Sequence, residues 1–79
     1  MIQIQFDPEG DALYIALDDS DGAVESEPLD EFRIVDYAED GSPVGVEFLF
    51  VSRGLNLAGI PHADRIAAAI RAFPQLTAA

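Results

Sequence analysis

The chain has 79 residues and no cysteine, so a single small domain must hold its core without disulfides or a thiolate metal site. Fifteen acidic side chains face four arginines, giving a formal net charge of −11, and 14 of those acids lie in residues 1–47 beside Arg33 alone. A field of that sign repels phosphate backbones and anionic lipid, which argues against nucleic acid or membrane as direct partners and makes a basic protein the natural complement.

In chain order, "IQIQF" (2–6) alternates apolar and polar residues with period two and predicts a strand with one buried face. "DPEGD" then reads as a turn: Asp7 can cap it, Pro8 fixes φ and Gly10 tolerates positive φ. In "ALYIAL" (12–17), Leu13, Ile15 and Leu17 share one face and Ala12, Tyr14 and Ala16 the other, which predicts a second, central strand. A loop of residues 8–11 would set Phe6 against Leu13, Ile4 against Ile15 and Ile2 against Leu17. A three-residue loop with a bulge at Gly10 would instead select Ala12, Tyr14 and Ala16. The first is favoured because it gathers the large apolar residues.

"DDSDG" (18–22) has turn chemistry, and "AVESEPL" (23–29) predicts a weaker, exposed strand, with Pro28 at an edge or strand end. "FRIVDY" (32–37) and "VGVEFLFV" (44–51) predict a hairpin turned by Asp40-Gly41. The expected register pairs Phe32 with Phe48, Ile34 with Val46 and Asp36 with Val44 on the core face, and Arg33 with Glu47 on the other. A one-residue slip, with Arg33 opposite Phe48 and Ile34 opposite Glu47, is rejected because it turns a charge toward the core. "GLNLAG" (54–59) is a loop. From Pro61 the period changes: Asp64 near the start, four alanines and Arg71 near the end predict a helix over about 62–73, with Ile66, Ile70 and Phe73 on one stripe and Pro74 ending it. A helix this short must pack on the sheet or on a second chain.

Few residues carry candidate chemistry. Asp7, Glu9 and Asp11 imitate the start of a calcium loop, but Ala12 stands where that loop needs glycine, and an apolar strand follows. Asp18, Asp19 and Asp21 read as a solvated turn. His62 has no second histidine or cysteine to complete a transition-metal site, and Ser52 lies in no nucleophile elbow. No cofactor is implied. Asp36 and Glu47 stand apart because they lie inside strands. The expected register gives Glu47 a partner in Arg33, while Asp36 either reaches water or pairs with an arginine across an interface, Arg53 being the first candidate. No apolar run is long enough to cross a membrane as a helix, and "MIQIQF" lacks the basic start of a secretory leader, so a cytoplasmic protein is expected.

"FDPEGDALYIAL" followed by "VDYAEDGSPVGVEFLFVSR" (35–53) resembles the small bacterial domain-of-unknown-function family 2283. Phe6, Asp7, Asp11, Leu13, Tyr14 and Ile15 fall on its first motif, and Asp36, Gly41, Gly45 and Glu47 on its second. Ala38 replaces a frequent acidic residue, and the helix lies outside the pattern. The resemblance covers about residues 1–55 and implies a compact antiparallel sheet, no established activity, and a suspected antitoxin-like partnership with small basic proteins.

The sequence thus predicts one α+β domain over residues 1–79. Residues 1–55 form an antiparallel meander of four to five strands; 56–79 form a loop and a C-terminal helix packed on a face of the sheet, in its own subunit or swapped. The expected function is a non-enzymatic protein-interaction module, an antitoxin-like acidic partner of a small basic protein. Asp7, Asp11, Asp36, Glu47 and Arg53 are the partner-contacting residues, and a homodimer is expected. The alternatives are a metal-dependent or hydrolytic enzyme using the acidic cluster, and a stand-alone structural dimer.

Overall fold

The computed structural model describes residues 2–17 and 22–73. The turn expected at Asp18, Asp19 and Asp21 and the stop expected at Pro74 lie outside them. Five strands, β1 (Gln3–Asp7), β2 (Ala12–Ala16), β3 (Glu25–Pro28), β4 (Arg33–Tyr37) and β5 (Pro43–Leu49), precede a short 3₁₀ turn (Val51–Arg53) and one helix, α1 (Ala63–Arg71). The strands form one antiparallel sheet in the order β1-β2-β5-β4-β3. A hairpin, β1–β2, and a three-stranded meander, β3–β4–β5, are therefore joined by the pairing of β2 with β5, which puts β5 at the centre.

The first hairpin has the favoured register. Phe6 faces Leu13, Ile4 faces Ile15 and Asp7 faces Ala12, leaving residues 8–11 as the loop. Asp7 Oδ1 accepts hydrogen bonds from the backbone N–H groups of Glu9 and Gly10, both at 3.1 Å. The left-handed residue is Asp11, at φ 53°, and not Gly10 as expected. Gly10 serves differently: a Cβ there would come within 2.6 Å of Asp7 Oδ2, so its bare Cα is what lets the capping carboxylate fold over the turn.

The second hairpin overturns the expected register. Arg33 faces Phe48, Ile34 faces Glu47, Val35 faces Val46 and Asp36 faces Gly45, the slip that the sequence argument rejects, with an irregularity that brings Tyr37 opposite Pro43. Val35 and Tyr37, not Phe32 and Ile34, therefore join the core, and Phe32 is left 41% exposed. The physical reason lies in where each charge can go. The expected register would bury the short Asp36 carboxylate in mid-strand, whereas the observed one turns it outward. Arg33, at the start of β4, has a stem long enough to carry its charge to the rim. There its guanidinium donates to the carbonyls of Asn56 and Ala58 and pairs with Asp30 at 2.9 Å, instead of pairing with Glu47.

The core lies between one sheet face and the C-terminal segment. Leu13, Ile15, Leu17, Val35, Val46 and Phe48 pack with Ile60 of the loop and Ile66 of α1. The helix thus packs on the sheet of its own chain. Ile66 is fully buried and Ile70 packs at the margin, while Phe73 lies past the last helical residue and outside the core cluster. Asp64 and Arg71 occupy the first and last turns, where each complements the helix dipole. β3 is exposed along its whole length at the sheet edge, with Pro28 as its last residue.

Candidate functional site

The face of the sheet opposite α1 presents Tyr14 and Ala16 from β2, Gly45, Glu47 and Leu49 from β5, Ile34 and Asp36 from β4, and Ser26 from β3, as the strand pairing requires. No described element covers it. Its centre is a polar line running across four strands. Tyr14 Oη donates to Asp36 Oδ2 at 3.1 Å, and Ser26 Oγ donates to Asp36 Oδ1 at 2.7 Å. To reach Asp36 from β2, the Tyr14 ring must pass over β5, and Gly45 makes the passage. A Cβ at Gly45 would lie 1.9 Å from Tyr14 Oη and 2.6 Å from Cζ.

Electrostatically this line is acidic and has no facing base among the described residues. Burial, followed by the nearby Asp36 charge, their hydrogen bond and the Glu47 charge, raises the Tyr14 phenol above its ordinary pKa, so it stays a protonated donor at neutral pH. Glu47, Asp7 and Tyr14 border a shallow depression of about 200 Å³ at the β1–β2 side of the same face. Among the described residues, no three histidine, aspartate or glutamate side chains are grouped so as to hold a metal ion.

The five residues singled out from sequence are thus dispersed over three settings. Asp36 and Glu47 share the open face, with Asp7 at its margin. Asp11 is taken up internally: Oδ1 accepts the backbone N–H of Ser52 at 2.8 Å, Oδ2 accepts Ser52 Oγ at 2.7 Å, and the Asp11 carbonyl accepts the Val51 N–H at 3.1 Å. This clasp ties the first turn to the 3₁₀ turn that follows β5. Arg53 lies elsewhere, its guanidinium 5.3 Å from the centre of the Phe50 ring.

The family model for a protein of unknown function, DUF2283, matches residues 3–52, a span that contains all five strands and the Asp11–Ser52 clasp. The chain belongs to this family. No curated protein and no solved structure matches it. Both motifs of this DUF2283 domain now have physical roles. In the first, Asp7 caps the turn, Asp11 clasps Ser52, and Tyr14 crosses to Asp36. In the second, Asp36 receives that tyrosine and Gly45 makes room for it. Sequence reasoning missed Tyr14, Ser26 and Gly45 as members of one group. A signal was present in Gly45, since a glycine inside a strand marks a close approach of another group.

Proposed function

We propose that this DUF2283 domain is a protein-interaction module whose open sheet face receives a basic partner, in the antitoxin-like manner of an acidic protein covering a cationic surface. The carrying observation is the asymmetry of the sheet. One face is sealed by α1, while the other displays Asp36 and Glu47 among half-buried Ile34, Leu49 and Tyr14, with no base on that face among the described residues. A charged centre bordered by apolar surface suits a partner whose Lys or Arg groups meet the carboxylates while its apolar groups cover the aliphatic rim. Asp36 and Glu47 are the central contacts and Asp7 a marginal one. Asp11 supports the site through its clasp, and Arg53 lies apart from it.

The same charge pattern opposes stacking of two such faces, which would set carboxylates against carboxylates. We therefore assign the expected homodimer to the free edge of β1, where no described strand pairs and no proline interrupts.

Affinity capture from cells tests the reading, using the tagged chain beside an Asp36→Asn/Glu47→Gln variant. The expected result is one or more basic proteins that are retained by the native chain, released by salt, and lost with the variant. Capture unaffected by the double substitution, or restricted to acidic proteins, would overturn it. Light scattering reads the oligomeric state directly.

A further inference from the structure

A second recess of about 240 Å³ opens at the end of the sheet where β4 begins and β5 ends, with walls formed by Phe32, Phe48 and Phe50 and a polar side formed by Arg33, Arg53 and Asp30. Phe32 and Phe50 meet edge to face, with ring centres 5.6 Å apart, yet remain 41% and 47% exposed. Phe50 does so in a left-handed backbone conformation, φ 56° and ψ 46°, which is unfavourable for a bulky residue. The neighbouring Asp11–Ser52 clasp holds that conformation in place. The chain thus keeps an aromatic side chain at the surface on an unfavourable backbone conformation.

The two arginines differ in availability. Arg33 is committed to Asp30 and to two carbonyls. Arg53 rests on the Phe50 ring and, among the described residues, forms no ion pair, in a chain whose acids outnumber its bases 15 to four. A guanidinium stacked on a ring keeps its edge N–H groups free, and their planar fork matches a carboxylate. The Asp30 carboxylate on the same polar side and the net negative charge of the chain disfavour a dianion such as phosphate.

We propose that this recess binds a monocarboxylate carried on an aromatic or branched apolar group, the carboxylate on Arg53 and the apolar body against Phe32 and Phe50. Two sources share that chemistry: a free small acid, and the C-terminal residue of a peptide. The recess shares Leu49 with the acidic sheet face but neither Asp36 nor Glu47, so either reading can fail without the other.

Amide-detected NMR titration of the full chain tests it with five probes: 3-phenylpropionate, 3-phenylpropylamine, acetate, and a short peptide ending in phenylalanine, once as free acid and once as amide. Saturable shifts confined to Phe32, Phe50, Arg53 and Gly54 are expected with 3-phenylpropionate or the free-acid peptide, and the tighter of the two identifies the source. The amine, acetate and amidated peptide should give no saturable shift there. Arg53→Gln, an exposed substitution, should weaken binding about tenfold or more while the rest of the spectrum is retained. Equal binding of the amine, unchanged binding by Arg53→Gln, or no saturable shift with either acid would overturn the proposal.

Discussion

A methyl group at Gly45 would occupy the space of the Tyr14 hydroxyl, so Gly45→Ala must expel the tyrosine from Asp36. We expect it to destabilise the fold by about 1–3 kcal/mol in chemical denaturation. Tyr14→Ala should remove most of that penalty, so the double variant costs clearly less than the sum of the singles; strict additivity would refute the steric account. Tyr14 also sets a pH dependence. Its phenol is raised above the ordinary value near 10, chiefly by burial and then by Asp36. The unfolded chain therefore releases this proton first. Stability from the protonated phenol is complete below about pH 10 and is lost as pH climbs from there through the folded-state pKa. Following tyrosinate absorbance in a Tyr37→Phe background should show Tyr14 titrating late, and Tyr14→Phe should flatten the alkaline fall in melting temperature. At this scale the sequence was legible only in part. The turn role of Asp7 follows from local chemistry, but the partners of Tyr14 and Asp36 depend on which residues four strands bring level.

Elements were legible where a local rule decided them and illegible where two rules competed. In the first hairpin, turn chemistry and apolar parity agree, and the register follows. In the β4–β5 hairpin, pairing Phe32 with Phe48 and Ile34 with Val46 looks better strand against strand. The observed register wins through Tyr14, Ser26 and the carbonyls of residues 56 and 58, none of which belongs to the hairpin. The clasp between the first turn and the 3₁₀ turn after β5 is likewise invisible to any one-element argument. Asp11→Ala removes three advantages together: two hydrogen bonds accepted from Ser52 and the tolerance of aspartate for a left-handed backbone. We expect a loss of about 2–3 kcal/mol, against about 0.5–1.5 for Ser52→Ala, which keeps the backbone bond. Equal losses would deny the backbone its share. For α1, Ile66 is the anchor. Ile66→Ala should cost about 2–5 kcal/mol, more than Ile70→Ala, because only Ile66 is fully buried.

For the molecule as a whole, the net charge of −11 is set against one ion pair among the described residues, Arg33 with Asp30. Self-repulsion should therefore be relieved by screening, and the melting temperature should rise between low and moderate sodium chloride, with little change once the Debye length falls to a few ångströms. A fall with salt would mean that attractive pairs dominate. The fold class, the strand count and the helix on one face could all be read from the residues, because periodicity and turn chemistry act over short stretches. A one-residue shift of β5 against β2 would put Val44 or Val46 beneath the Tyr14 ring and block its crossing. A one-residue slip of β4 against β5 would turn Asp36 to the other face and leave the tyrosine without its acceptor. One side chain thus gauges the alignment of three strands, sterically at Gly45 and by hydrogen bonding at Asp36.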